Sequence, residues 1–380
     1  MKITFLLPGI DLSGGVKVVA TYAKMLSKRG HDVNVVFPRK PLTVNPRSWV
    51  SRARAYWRQK AHPDRGHFSG YDHLLKPARV SKESHPLLPG GMFPVLRNDI
   101  PDADVIIATY WETAFWIAEL PKSFGNPFYL IQHYETWDCD EKQLQRMQGS
   151  WQLPLRKIVV ARWLKDLARE KFNDPGALLL HNGVDLEHFN SPLRKMNETP
   201  SVGFTYSWAP WKRSDLLAEV VERVRRTIPD LQVRTFGQYN PSSRMPYPQG
   251  GKHVFQPSQS EIPGLYASVD VWLLGSDTEG FGLPVLEAMA CRTPVVTTAC
   301  DGTVDIARDC EGAILTPTDD PERMAEAVLS ILTDRKGWEK RSTAARKRAE
   351  LFRWDKACDA LEAILSGKPA EFDATASVQN

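Results

Sequence analysis

Glu279 and Glu287 are separated by seven residues, Gly280-Phe281-Gly282-Leu283-Pro284-Val285-Leu286. An apolar run, Val269 to Leu274, comes before them and predicts a buried strand. Pro284 marks the start of a helix, because the N–H that proline lacks has no intrahelical partner at the first helical position. A strand, a glycine turn and a helix N-terminus together form an anion site. The amides of Phe281, Gly282 and Leu283, beside Gly280, face forward with the positive end of the helix dipole behind them. Glu279 before the turn and Glu287, read as lying in the helix's first turn, can accept hydrogen bonds from neutral hydroxyls while the amides hold phosphate. That combination suits a nucleotide-linked sugar.

Further residues fall in order around this run. Ser13-Gly14-Gly15-Val16 follows a first apolar strand, His181-Asn182-Gly183-Val184-Asp185 lies mid-chain, Ser268-Val269-Asp270-Val271-Trp272 precedes the run and Arg292-Thr293-Pro294-Val295-Val296-Thr297 follows it. Together they resemble the retaining, GT-B-fold glycosyltransferases of family four (glycosyl transferases group 1), over residues 1–38 and about 104–366.

The resemblance implies transfer of a sugar from a nucleotide diphosphate to an acceptor with the anomeric configuration retained. It implies that Glu287 accepts hydrogen bonds from the ribose and that Glu279 faces the donor sugar, with the leaving phosphate rather than Glu279 acting on the acceptor. His133, just past a strand end, resembles the family's residue near the sugar. Lys212, with Arg213 beside it, stands near the family's basic position on the diphosphate. Gly14, Gly15 and Val16 would reach the phosphates from the other domain, and Phe255-Gln256 would end a strand beside the base. One departure stands out: Gly203-Phe204-Thr205-Tyr206-Ser207-Trp208 lacks the family's arginine, so a phosphate contact is either missing or supplied from elsewhere, with Arg213 as the candidate to compensate.

No metal or other cofactor is implied. Asp138-Cys139-Asp140 looks like the manganese-binding Asp-X-Asp of the other glycosyltransferase fold but stands in the wrong surroundings. Asp11-Leu12-Ser13-Gly14-Gly15-Val16 lacks the Gly-X-Gly-X-X-Gly spacing of a nicotinamide enzyme. A sugar-nucleotide epimerase or phosphorylase on the same fold, or a non-catalytic binding protein, are the alternatives.

The elements that must position these residues alternate strand and helix, which predicts an α/β protein with parallel sheets. The expected fold is GT-B: two doubly wound, Rossmann-like domains facing a central cleft, with a C-terminal helix crossing back to the first. The boundaries read as 1–181 for an acceptor-side domain carrying an insertion at 39–100, 182–199 for a linker, 200–350 for the nucleotide-sugar domain, 351–366 for the returning helix and 367–380 for a disordered tail.

Residues 1–100 carry 17 Lys and Arg against 6 Asp and Glu, although the whole chain is only +4. Within 39–82 the count is 11 against 2. This asymmetry implies an anionic partner for the first half. In Trp49–Lys60, Trp49, Ala53, Tyr56, Trp57 and Lys60 recur at helical spacing, with arginines elsewhere on the wheel. Such a helix either lies on an anionic membrane, presenting the protein to a lipid-linked acceptor, or buries its aromatics within the domain. No motif for nucleic acid accompanies the charge. Five cysteines without close pairs argue against a disulfide framework or a zinc site. No apolar run reaches membrane-spanning length, and the expected location is the cytoplasm, with the chain either free there or peripheral on the inner face of the membrane.

Overall fold

The structure, a computed structural model, describes residues 1–39, 66–80, 94–136, 139–242 and 245–376. These residues form two compact units. The first contains Met1–Val160, Leu164–Leu180 and Cys358–Phe372, and the second contains Ala161–Trp163, His181–Ala357 and the residues from Asp373 on.

The first unit holds β1 (Lys2–Leu6), α1 (Gly14–Lys28), β2 (Asp32–Pro38), β3 (Leu75–Ala78), β4 (Val105–Ala108), α2 (Trp111–Ala118), β5 (Asn126–Ile131), α3 (Glu141–Ser150), β6 (Arg156–Val159), most of α4 (Arg162–Phe172) and β7 (Leu178–Leu179). The strands form one parallel sheet in the order β3-β2-β1-β4-β5-β6-β7. β1 lies inside the sheet between β2 and β4, which explains why Ile3 to Leu6 are all buried. α1 buries Val18, Val19, Tyr22 and Leu26 at helical spacing, and Gly30, at φ 87°, takes the left-handed conformation that ends it.

The second unit holds β8 (Ser201–Thr205), α5 (Ser214–Arg225), β9 (Gln232–Gly237), β10 (Lys252–Phe255), α6 (Ile262–Ala267), β11 (Val271–Leu274), α7 (Leu283–Ala290), β12 (Val295–Thr298), α8 (Thr303–Ala307), β13 (Ala313–Thr316), α9 (Pro321–Leu332), α10 (Trp338–Ala349) and the start of α11 (Trp354–Leu365). Its parallel sheet runs β10-β9-β8-β11-β12-β13. Val202, Phe204, Val220, Val224, Leu273, Met324, Val328 and Trp338 share its core. From Cys358 on, α11 belongs to the first unit. There Arg29 pairs with Asp359 and Glu362, and Arg156 donates to the Ile364 carbonyl.

Three expectations change. The 39–100 insertion contributes a sheet strand: β3 pairs with β2 at the sheet edge, where Pro77 costs no ladder bond. Trp49–Lys60 lies outside the described residues. The segment 182–199 packs as part of the second unit, since the buried Asp270 carboxylate accepts from the Asn197 and Ser201 amides and pairs with Arg194 at 3.1 Å. Finally, the segment from 367 is ordered through Ala376. Phe372 bridges to Leu180, Glu371 pairs with Lys165 at 2.6 Å, and Asp373 pairs with Arg162 at 2.6 Å. An aromatic ring and two carboxylates with basic partners outweigh the small, polar composition around them.

Candidate functional site

In the second unit β11 runs into a tight turn and then α7. Gly282 sits at φ 100° as the helix N-cap, which a side chain would oppose, and Pro284 occupies the first turn. Two carbonyls at the start of the turn are taken. The Gly302 amide donates to the Glu279 carbonyl at 3.2 Å, and the Trp163 indole donates to the Gly280 carbonyl at 3.0 Å. The amides are not: those of Gly280, Phe281, Gly282 and Leu283 have no acceptor among the described residues. The Phe281 side chain is buried against the rings of His181 and Phe352, both with centroids 5.8 Å away. Only its main chain is left to meet a ligand. Four unclaimed N–H groups at a helix start are donors that an anion could use.

The two glutamates differ in their partners. Glu279 is buried, and its Oε1 accepts from the Lys212 ammonium at 2.6 Å and the Ser276 hydroxyl at 2.7 Å. Its own amide donates to Asp301 at 3.3 Å. Lys212 reaches it from the short turn Pro210–Lys212 that follows β8. Lysine has three N–H donors, so one spent on Glu279 leaves two for an anion. Glu287 is buried and accepts from the Tyr266 hydroxyl at 2.9 Å. It lies in the second turn of α7 rather than the first, because the helix begins at Leu283.

Arg213 proves to be committed. At φ 49° it donates to Asp215 at 3.2 Å, to Asp277 at 3.1 Å and to Asp319 at 2.9 Å. Burial works against its charge, but the bonds to Asp319 and Asp277 and the charge of Asp215 outweigh it and hold the guanidinium above its ordinary value. Its cation ties the start of α5 to two loops and is spent there. Phe255 is exposed at the end of β10, and Gln256 follows at φ 46° with its amide on the Gly237 carbonyl. β10 stands three strands from β11 in the sheet, about 14 Å by strand spacing. Both ends lie along one edge, but these residues and the turn do not meet. Between them stands a pair not anticipated from sequence, Trp208 stacked on Tyr239 with centroids 4.6 Å apart.

In the first unit Ser13 caps α1 and accepts from the Val16 amide at 3.4 Å. Val16 therefore serves the cap, and the amides of Gly14 and Gly15 are the ones left without an acceptor among the described residues. The Gly15 carbonyl is held by the Gln132 side chain at 3.2 Å. His133 follows β5 two residues past its end and is half-buried. Asp140, part of the Asp-X-Asp lookalike, is the N-cap of α3: it accepts from the Gln143 amide at 2.8 Å, and Gln143 answers it in a capping box. Asp138 lies outside the described residues.

Sequence reasoning also missed a carboxyl pair beyond the ends of β4 and β5. Glu112 is buried on α2, and burial pushes its carboxyl up to about 8 despite the charge of Arg146. Burial and the charge of Glu112 hold Glu135 well above the usual carboxylate range. The His181 motif is architectural. His181 is fully buried, its Nδ1 accepts from the Ala374 amide at 3.1 Å, and so its Nε2 carries the proton donated to Asp305 at 3.1 Å. Gly183 leaves no room for a side chain, since a Cβ would sit 2.4 Å from the Trp354 nitrogen.

Residues 199–334 match the family model of the glycosyl transferases group 1. The phosphatidyl-myo-inositol mannosyltransferase of Mycobacterium tuberculosis is 27% identical over 349 residues, covering 87% of this chain and 86% of that protein. A D-inositol 3-phosphate glycosyltransferase of Geodermatophilus obscurus is 37% identical over 109 residues, but the match spans 29% of this chain and only 24% of that protein. Among solved structures, Anabaena HepE in complex with UDP-glucose superposes with a TM-score of 0.73 at 14% identity, over 97% of this chain and all of that one. Sucrose-phosphate synthase from Thermosynechococcus elongatus superposes with a TM-score of 0.71 at 18% identity, over 96% and 98%. Two parallel sheets of seven and six strands, each covered by helices, are thus the GT-B fold.

Proposed function

We propose that this chain, whose residues 199–334 match the glycosyl transferases group 1, moves a hexosyl-type sugar from a nucleotide diphosphate to a glycan or lipid-linked acceptor, with retention and without a metal ion. The observation that carries this reading is the row of unclaimed amides from Gly280 to Leu283, with the Lys212–Glu279 pair behind it. As the glycosidic bond breaks, negative charge grows on the departing diphosphate and positive charge on the anomeric carbon. Fixed amides and the Lys212 ammonium stabilise the first, and the buried Glu279 carboxylate faces the second. These groups are already oriented, so little reorganisation is needed when the charge develops.

Glu287 takes the ribose hydroxyls in this reading. Phe255 with Gln256 borders a uracil or guanine base in the same reading. Two relatives support a hydroxyl-rich acceptor: their names specify phosphatidyl-myo-inositol and D-inositol 3-phosphate. HepE, crystallised with UDP-glucose, supports a nucleotide-sugar donor. The basic 39–82 segment would draw the chain to an anionic membrane from the cytoplasmic side. Among the described residues no helix is long and apolar enough to cross a membrane.

The test is incubation with a panel of UDP- and GDP-sugars, with and without a chelator, and proton NMR of the product's anomeric signal. Cleavage of one donor with the anomeric configuration kept, insensitive to chelation, is expected. Inversion, or activity abolished by the chelator and restored by manganese, removes the proposal.

A further inference from the structure

Tyr266 occupies the last turn of α6 and is 1% exposed. Three aromatic rings enclose it: Trp272 at 4.5 Å and 67°, Phe236 at 5.5 Å and 85°, and Phe189 at 6.1 Å and 63° between centroids and planes. Its carbonyl accepts from the Thr293 hydroxyl at 2.8 Å, which fixes the main chain at the base of the ring. Backbone and ring are both held, so the phenol oxygen has one position. From there it donates to Glu287 Oε2 at 2.9 Å. A fully buried aromatic cage needs no hydroxyl for its packing; this one carries a donor aimed at a carboxylate on the next helix.

We propose that Tyr266 is a positioning residue that sets the orientation of the Glu287 carboxylate for the two hydroxyls of the donor's ribose. The inference rests on the reading of Glu287 as the ribose acceptor and adds how that acceptor is oriented. A glutamate has three side-chain torsions, and a carboxylate free to turn loses entropy when it meets a diol. Pinning one oxygen from a rigid phenol removes that loss and fixes the direction of the other. The phenol remains a donor at every working pH, because burial and then the charge of Glu287 raise its proton affinity well above the ordinary tyrosine value. Cys291 feels the same charge: burial first, then Glu287, push its thiol up to about 12, so it stays neutral beside the carboxylate.

The experiment compares ribose with its absence. Whichever of UDP and GDP binds the wild-type chain more tightly is titrated calorimetrically, together with its 2′,3′-dideoxy analogue. The proteins are wild type, Tyr266→Phe, Glu287→Ala and the double variant. Wild type should prefer the ribonucleotide about tenfold or more, and Tyr266→Phe should shrink that preference to about threefold or less while leaving the dideoxy affinity unchanged. In the Glu287→Ala background Tyr266→Phe should change neither affinity. Thr293→Val, which removes only the hydroxyl holding the Tyr266 carbonyl, is the milder second variant and should narrow the preference in the same direction. Each preference compares two ligands on one preparation, so partial unfolding does not alter it. If Tyr266→Phe lowers both affinities equally, or if the preference survives in both variants, Tyr266 is packing alone and the inference is overturned. A wild-type chain that binds both nucleotides alike ends the ribose reading of Glu287, and the inference falls with it.

Discussion

Gly302 gives the sharpest test of the turn. A Cβ placed there would lie 2.4 Å from the Gly280 carbonyl oxygen, 2.5 Å from the Phe281 Cα and 2.8 Å from the Gly280 carbonyl carbon. Ordinary contact begins near 3.4 Å, and all three atoms are backbone, so no side chain can swing away. Gly302→Ala must therefore move the 280–282 turn by about 1 Å, a displacement that costs on the order of 100-fold in rate when it misaligns groups that meet a transition state. The same overpacking should cost about 1–3 kcal/mol of stability. Gly264→Ala is the control, because nothing lies within 4 Å of its Cβ and its place inside α6 favours alanine by about 0.5–1 kcal/mol. The assay is steady-state donor cleavage beside a thermal melt. We expect kcat/KM to fall by about two orders of magnitude for Gly302→Ala, against no loss for Gly264→Ala. Equal kcat/KM in the two variants would refute the assignment of the 280–283 amides to the reacting phosphates.

Lys212→Met should weaken nucleoside diphosphate binding about tenfold while leaving the bare nucleoside unaffected, whereas Arg213→Ala should lower the melting temperature and change diphosphate affinity less than about threefold. Calorimetry that reversed this order would show Arg213, not Lys212, to be the phosphate cation. Glu112 links pH to stability. Its folded value of about 8 stands above the ordinary 4.5, so the folded state keeps a proton that the unfolded state has released, and stability is full below 4.5 and lost as pH rises through 8. Over that window the loss is a few kcal/mol, on the order of 1.36 per pH unit, and Glu135, Arg146, Tyr110 and Tyr129 all bear on it. Glu112→Gln should match wild type near pH 5 and melt higher at pH 8; parallel melting curves across that range would discredit the buried carboxyl.

The legible parts of this chain were the contiguous ones. Strand, turn and helix around Glu279 and Glu287 can be read because the apolar run, the glycines and Pro284 are neighbours. The parallel sheets follow from the same alternation. Pairings across long separations were hidden. Lys212 meets Glu279 67 residues away, and Arg213 meets Asp319 106 residues away. A sequence shows that Arg213 is basic but not that its charge is already answered. β3 was illegible because Leu75-Lys76-Pro77-Ala78 has neither strand alternation nor β-branched residues, and only pairing with β2 makes it a strand. The ordered 367–376 segment depends on Phe372, Glu371 and Asp373 finding Leu180, Lys165 and Arg162. The burial of Glu112 and Glu135 comes from how α2 and the loop after β5 pack, which no run of neighbouring residues records.

The central claim is that main-chain amides at the start of α7 grip the donor's diphosphate. A crystal structure of the chain with a nucleoside diphosphate, grown without divalent cations, measures it directly. Phosphate oxygens should lie within about 3 Å of the amide nitrogens between Gly280 and Leu283. A well-ordered nucleotide bound elsewhere, or one that binds only when a metal ion bridges it to carboxylates, contradicts the account.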